Sequence, residues 1–307
     1  MSESRPVILV TAADLADQAT ALLKDFEVIY AGKQCQHDEM LALAKKTNPV
    51  GIIVRYGSIS ADMMDAAPAL KVISKHGSGT DTIDKDAATV RNIAVKAATG
   101  VNAAAVAEQA LALLLACAKS VPKLNARMHA GYWDKATHKS MELGGRTIGL
   151  IGLGAIGQRF AKMADALEMR VLGFDPFAKA LPAYIQPVDI DTIQKECDVI
   201  SLHCPLTADN RNLVDARFLS NCKTGLILIN TARGGLIDET ALSAALRSGQ
   251  VAMAGLDSFA VEPFRAPHIF QENEQLILSP HIGGVTGAAY VNMGVAAANN
   301  VLEVLAT

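Results

Sequence analysis

Residues Thr147–Asp175 read TIGLIGLGAIGQRFAKMADALEMRVLGFD, which spells out strand, glycine turn, helix, strand and acid. Thr147–Ile151 is apolar and rich in β-branched residues, the pattern of a parallel strand buried on both faces. Gly152, Gly154 and Gly157 supply G-x-G-x-x-G where a helix must begin. The first glycine permits a tight turn, the second lets a pyrophosphate approach the backbone, and the third lets helix and strand pack closely. The helix N-terminus turns its unpaired N–H groups toward that anion. A second apolar strand, Arg170–Phe174, ends in Asp175, about 20 residues beyond the glycines. A carboxylate there accepts hydrogen bonds from both adenosine ribose hydroxyls and repels a 2′-phosphate, which points to NAD rather than NADP.

A length of 307 residues suggests two domains, each large enough for its own core. The net charge of −3 gives no basic field for nucleic acid or an anionic membrane, so neither is expected as a partner. Cys35, Cys117, Cys197, Cys204 and Cys222 are scattered without CxxC pairs or metal spacing. Read as buried or partly buried thiols, they fit a reducing cytoplasm and no bound metal. The N-terminus, MSESRPVILV, has neither a long apolar core nor a cleavage site, so no signal peptide is expected. The most apolar segment, Ala103–Ala118, is interrupted by Glu108 and Gln109 and falls short of a membrane span.

Short strands and helices alternate on both sides of the glycine stretch, which calls for parallel sheets covered on both faces. Before it, strands are expected at Val7–Val10, Glu27–Ala31, Gly51–Val54, Lys71–Lys75 and Ile93–Lys96. Helices are expected between them at Ala13–Lys24, Asp38–Lys46, Ala61–Ala67 and Asp84–Arg91. Ligands on such sheets bind beyond the carboxyl ends of the strands, so Arg55 and Ser78–Gly79, in the loop KHGSGTD, are candidates for touching one. Thr99–Asn102 reads as a hinge. The helix Ala103–Ala118 is apolar nearly all round, must be buried on most faces, and suits a subunit interface. Val121–Gly145, with Trp133, reads as helix plus loop packed over the cofactor domain or a partner subunit.

After Asp175, strands are expected at Asp198–His203, Gly225–Asn230, Ala252–Asp257 and Gln275–Leu278. The helices there are Ile190–Glu196, Asp215–Ser220 and Glu239–Ser248. If the final helix, Ala288–Leu305, packs back on the first domain, that domain is discontinuous. The expected class is α/β with two doubly wound parallel-sheet domains. One is a flavodoxin-like substrate domain (1–99 plus 287–307), the other a Rossmann NAD-binding domain (100–286).

Three charged or titratable groups follow at strand ends: Arg233 in NTARGGLID, Glu262 in FAVEP and His281 in SPHIGG. Hydride transfer at a 2-hydroxy acid needs a cation to hold the carboxylate and polarise the C2 oxygen, and a bidentate arginine suits both tasks. It needs a proton carrier titrating near neutrality, an imidazole. A carboxylate on the other ring nitrogen fixes the tautomer and stabilises the imidazolium. Nicotinamide takes the hydride, so neither a metal nor a covalent nucleophile is required. Singly, the arginine could be a surface residue in a glycine turn, the glutamate a loop cap and the histidine a backbone partner. Together they project from the carboxyl side of one sheet. His203, Cys204 and Pro205 read as cofactor contacts, and Cys204 has no evident base partner. His37, His129, His138 and His268 lie in polar stretches and read as solvated. His76, beside the KHGSGTD loop, is ambiguous.

With these residues in place, the chain resembles the D-isomer-specific 2-hydroxyacid dehydrogenases. KHGSGTDTID, VNAAAVAEQALALLLA, IGLGAIGQ, LHCPLT, NTARGGLID, GLDSFAVEP and SPHIGGVT occur in that family's order over nearly the whole chain. The resemblance implies that Arg233 binds the substrate carboxylate, that His281 is the acid/base and that Glu262 is its partner. It implies NAD contacts at Ser78, Ala155, Ile156, Asp175, Thr207, Thr231, Ala232 and Asp257, beside the glycine turn, with Gly283 and Gly284 in the same set. Backbone around Ser78–Gly79, with Arg55, would line the substrate side. Such enzymes are homodimers joined through their cofactor domains, using helices like Ala103–Ala118 and the Trp133 region.

Motif similarity is strongest to phosphoglycerate dehydrogenases, although the chain ends at Thr307 and regulation through an appended domain is not expected. Formate dehydrogenases of the superfamily place an amide beside the histidine, and Glu262 argues against that activity. The expected function is NAD-dependent hydride exchange with a small D-2-hydroxy acid or 2-keto acid, of the 3-phosphoglycerate or hydroxypyruvate/glyoxylate class. Arg55 could welcome a phosphate or second carboxylate. Closure of the two domains is expected. The competing reading is a non-catalytic NAD(H)-sensing corepressor on the same scaffold.

Overall fold

A computed structural model describes residues 5–33, 36–271 and 273–306; Cys35, read above as a buried thiol, lies outside them. In chain order the elements are β1 (Val7–Val10), α1 (Asp17–Leu22), β2 (Glu27–Tyr30), α2 (His37–Thr47), β3 (Gly51–Val54), α3 (Ala61–Asp65), β4 (Val72–Lys75), α4 (Lys85–Val90) and β5 (Ala94–Ala97). Next come α5 (Ala103–Lys119), α6 (Val121–His129), β6 (Thr147–Ile151), α7 (Ala155–Ala166), β7 (Arg170–Phe174), β8 (Ile185–Pro187), α8 (Ile190–Glu196), β9 (Val199–Leu202) and α9 (Ala216–Ser220). The chain finishes with β10 (Leu226–Asn230), α10 (Glu239–Ser248), β11 (Val251–Leu256), β12 (Leu276–Leu278) and α11 (Gly287–Leu305). Contacts divide it into two units, residues 1–102 with 284–307 and residues 103–283.

The first unit holds a five-stranded parallel sheet in the order β2-β1-β3-β4-β5, the flavodoxin-like order. Alternate residues of its strands serve opposite faces. Leu9, Ile52, Val54 and Ile73 pack with Met40, Met63 and Met64 from α2 and α3. Their neighbours Ile8, Val10, Ile53 and Val72 pack with Ala19 of α1 and with Ala297, Ala298 and Val301 of α11. The C-terminal helix thus returns to this unit and supplies half of one layer.

The second unit holds a seven-stranded parallel sheet, β12-β11-β10-β9-β6-β7-β8. Renumbered from β6, this is the Rossmann order 3-2-1-4-5-6 with one strand added. Its central strands β6, β9 and β10 are buried throughout, as continuous apolar runs in a parallel sheet must be. Asp189, Asp215 and Asp238 cap α8, α9 and α10 by accepting N–H groups of the first turn. Two expectations change. The three-residue strand β8, which pairs with β7, is not foreseen by the sequence pattern. Helix α1 begins at Asp17 rather than Ala13, because Ala16 is extended at its N-cap.

Helix α5 is buried on most of its faces, as its composition requires, and leaves one stripe open. Ala110, Leu113, Leu114 and Cys117 join the core, whereas Ala104, Glu108 and Ala112 form an exposed stripe. Among the described residues no single helix is long and apolar enough to cross a membrane.

Candidate active site

Strand β6 runs into Gly152, whose φ of +97° favours glycine, and a Cβ there would lie 2.5 Å from the Cys204 amide nitrogen. Gly157 comes so near that a Cβ would fall 2.1 Å from the Gly152 carbonyl oxygen. Gly154, the N-cap of α7, has nothing within 4 Å of the equivalent position. Gly152 therefore lets the turn approach the backbone at the end of β9, Gly157 lets the helix close on the turn, and Gly154 leaves room in front of the helix N-terminus, an anion cradle that includes the first helical residues Ala155 and Ile156.

Asp175 follows β7. Its Oδ2 accepts the Leu153 N–H at 2.8 Å and its Oδ1 the Phe177 N–H at 2.8 Å. The carboxylate is fixed beside the turn, and each oxygen retains acceptor capacity for a ribose hydroxyl. Further along the same carboxyl edge, Nδ1 of His203, Oγ1 of Thr231 and Oγ of Ser258 are buried without a protein hydrogen-bond partner, as befits groups waiting for a ligand. These residues fit a dinucleotide.

His203 Nε2 lies 2.9 Å from Ser201 Oγ, and burial pushes the imidazole down to about 3, so it is neutral near pH 7. Burial pushes the Cys204 thiol up to about 11, which leaves it protonated and no nucleophile. Asn210 braces the loop after β9, accepting the Thr207 N–H at 2.7 Å and donating to the Pro205 carbonyl at 2.8 Å.

Arg233, Glu262 and His281 come together through the backbone. Buried Asn230 accepts the Ala232 N–H at 2.9 Å and donates to the Arg233 carbonyl at 2.9 Å, which shapes the turn Thr231–Arg233. Gly234 then meets the next loop so closely that a Cβ would lie 1.8 Å from the Phe259 carbonyl carbon. The Phe259 N–H donates to Glu262 Oε1 at 3.0 Å, and Glu262 Oε2 lies 2.8 Å from His281 Nδ1. Partial burial pushes the Glu262 carboxyl up, but the His281 hydrogen bond, the Phe259 N–H and the charges of His281 and Arg233 outweigh it and hold the group below its usual value. An ionised Glu262 only accepts, so Nδ1 carries the hydrogen and Nε2 is left for proton exchange.

His281 occupies the left-handed region at φ 53°, which costs a non-glycine residue about 1–2 kcal/mol. Its loop is gripped on both sides. Buried Asp257 accepts from Ser279 Oγ at 2.5 Å and from the Ile282 N–H at 3.0 Å through Oδ1, and from the Gly283 N–H at 2.7 Å through Oδ2. Gln109 of α5 donates to Ser279 Oγ at 3.0 Å. Sequence reasoning gave no role to Asn230, Ser279 or Gln109, although Ser279 stands at a polar strand end and Gln109 is a polar break in an apolar helix. His268, expected in solvent, instead stacks on Phe264 with ring centroids 4.1 Å apart and lies 3.5 Å from Glu239, which also accepts the Ala260 N–H at 2.9 Å.

Ser78, Arg55, Gly79 and Gly284 belong to the first unit. Ser78 is exposed and donates to Asn102 Oδ1 at 3.2 Å. Arg55 follows β3, and its Nη1 donates to the Asp14 carbonyl at 2.9 Å and to the Asp14 carboxylate. His76 is buried, its ring tilted against Tyr290; desolvation, aided by the Arg55 charge, pushes it down to about 4. It is therefore a neutral core histidine at pH 7.

The family profile described as "D-isomer specific 2-hydroxyacid dehydrogenase, NAD binding domain" matches residues 111–283. Hydroxypyruvate reductase of Thermotoga maritima is 37% identical over 287 residues, 92% of either chain. D-3-phosphoglycerate dehydrogenase of Mycobacterium leprae is 36% identical over 98% of this chain, which spans 57% of that relative's length. A solved structure from Thermus thermophilus superposes with a TM-score of 0.90 at 36% identity, covering 98% of this chain and 97% of the other. A likeness of this depth, carried along both units, settles ancestry: the chain belongs to the D-isomer-specific 2-hydroxyacid dehydrogenases and is an NAD-dependent oxidoreductase.

Proposed function

We propose that the enzyme interconverts a small D-2-hydroxy acid and its 2-keto acid, of the hydroxypyruvate/glyoxylate or 3-phosphoglycerate class, with Arg233, Glu262 and His281 as its chemical groups. The observation that carries this reading is the 2.8 Å contact between His281 Nδ1 and Glu262 Oε2, with the charge of Arg233 felt by the same carboxylate. NAD, when bound, supplies the hydride acceptor for oxidation, and its reduced form the donor for reduction. Arg233 holds the substrate carboxylate through a forked pair of N–H groups and polarises the C2 oxygen. His281 takes the hydroxyl proton at Nε2 during oxidation and returns it during reduction, while Glu262 balances the imidazolium. Asp175 and the turn Gly152–Gly157 hold the nucleotide, with Ala155, Ile156, His203, Thr207, Thr231 and Ala232 in supporting contacts. Arg55, Ser78 and Gly79 make the remaining substrate contacts.

A homodimer accords with the exposed stripe on α5 and with Trp133, 74% exposed on the segment after α6. A cytoplasmic location accords with Cys117, Cys197 and Cys222 as buried free thiols. The direct test follows NADH absorbance across a panel of 2-keto acids. Turnover of at least one small member is expected; NADH binding with no turnover over a broad panel contradicts the proposal and favours the sensor.

A further inference from the structure

Arg55 is not presented to a ligand as a bare cation. Its side chain is only 15% exposed, and its Nη1 is committed to Asp14, through the carbonyl at 2.9 Å and through Oδ1. The same Asp14 Oδ1 accepts the Tyr290 hydroxyl at 2.9 Å. The guanidinium lies 4.8 Å from the centroid of the Tyr290 ring and 5.4 Å from that of Tyr56. One nitrogen of the fork is thus held by Asp14 while the guanidinium carbon lies over two aromatic rings, contacts that restrain the arginine. Asp14 reaches this position because the chain before α1 stays extended instead of starting the helix early.

Resting on the reading that Arg55 faces the substituent on the keto carbon, we propose that Asp14 is a specificity-determining residue. It neutralises Arg55, so the enzyme selects 2-keto acids with a small uncharged substituent over those carrying a phosphate or second carboxylate. An incoming dianion meets an ion pair rather than a bare cation, with the Asp14 carboxylate beside the guanidinium. Displacing Asp14 would sacrifice its bonds from both Arg55 and Tyr290. Among the neighbouring ionisable groups His76 is neutral and Tyr290 is a hydrogen-bond donor. Lys75 and Lys33 add positive charge, but the Lys75 ammonium is turned to the Arg55 carbonyl at 3.2 Å and Lys33 acts on Asp14. Building repulsion against the wrong ligand is an established route to selectivity.

The test compares kcat/KM for hydroxypyruvate and for its 3-phosphate at saturating NADH in wild type, Asp14→Asn, Asp14→Glu and the double variant Asp14→Asn/Arg55→Met. Wild type is expected to favour the unphosphorylated acid by about tenfold or more. Asp14→Asn shifts that ratio toward the phosphate by about tenfold or more, mainly through KM. Asp14→Glu restores the wild-type ratio, and the double variant loses the gain. A ratio moved by less than about threefold in Asp14→Asn, or a wild type that prefers the phosphate, overturns the proposal. Calorimetric titration with inorganic phosphate reads the same charge without turnover: Asp14→Asn should bind about tenfold tighter than wild type, and equal affinity overturns the proposal. Absence of turnover on every keto acid, with the phosphate difference present, counts against the dehydrogenase reading alone.

Discussion

Nδ1 of His281 lies 2.8 Å from Oε2 of Glu262, although the two residues sit on separate loops 19 positions apart. Glu262 is half exposed, yet its carboxyl stays ionised because the histidine, the Phe259 N–H and Arg233 together outweigh partial burial. Glu262→Gln keeps a hydrogen-bond acceptor but removes the charge that balances an imidazolium. Turnover is expected to fall about tenfold or more with KM for NADH unchanged. Steady-state kinetics check this, and wild-type turnover would show that the carboxylate is dispensable.

Asp175→Ala should relax the choice of coenzyme. Both oxygens of Asp175 are anchored by backbone N–H groups beside the glycine turn, so its negative charge cannot swing away from a 2′-phosphate. The ratio of kcat/KM for NADH over NADPH is expected to drop at least about tenfold. An unchanged ratio assigns the discrimination to another group.

Asp257→Asn should loosen the loop that carries His281. The amide side chain has one acceptor oxygen where the carboxylate serves Ser279, Ile282 and Gly283. A stability loss of about 1–3 kcal/mol is expected, together with a drop in kcat, because the left-handed conformation at His281 is no longer enforced from both sides. Denaturant melts and kcat measured on the same preparation decide it; full stability with full activity removes Asp257 from this role.

Acid sensitivity should trace in part to His76. Its folded value of about 4 lies below the ordinary 6.5, so the unfolded chain binds the proton first. Stability is intact above pH 6.5 and declines as pH falls toward 4. Between pH 7 and 5 this histidine accounts for about 2 kcal/mol of the decline. His76→Gln should unfold in denaturant with a shallower pH dependence over that interval, and identical slopes for variant and wild type contradict the assignment.

What the sequence discloses follows from the range of the forces involved. Continuous apolar runs such as Gly225–Asn230 can hardly be anything but buried parallel strands, and G-x-G-x-x-G carries its steric reasons in its own spacing. Gly157 against Gly152 is a contact within one turn, hence legible. Arg233, Glu262 and His281 were readable because each chemistry-bearing side chain stands where a strand ends. Partners brought in from distant segments, such as those that hold Arg55, were not. Asp14 and Tyr290 are separated by most of the chain and meet only after α11 returns to the first sheet. Strand β8 is too short for a period to declare itself. His268 sits in a polar stretch of sequence, and only folding gathers Phe259, Phe264 and Phe270 around it.

The most direct measurement is single-turnover reduction of a keto acid by NADH in wild type and in His281→Asn, with NADH binding recorded on the same samples. The amide preserves a polar group of similar reach but cannot deliver a proton from Nε2. A fall of at least about 100-fold in the reduction rate with NADH affinity retained is the predicted result. A variant that reduces the keto acid near the wild-type rate would contradict the assignment of His281 as acid and base, and with it the chemistry built around Glu262 and Arg233.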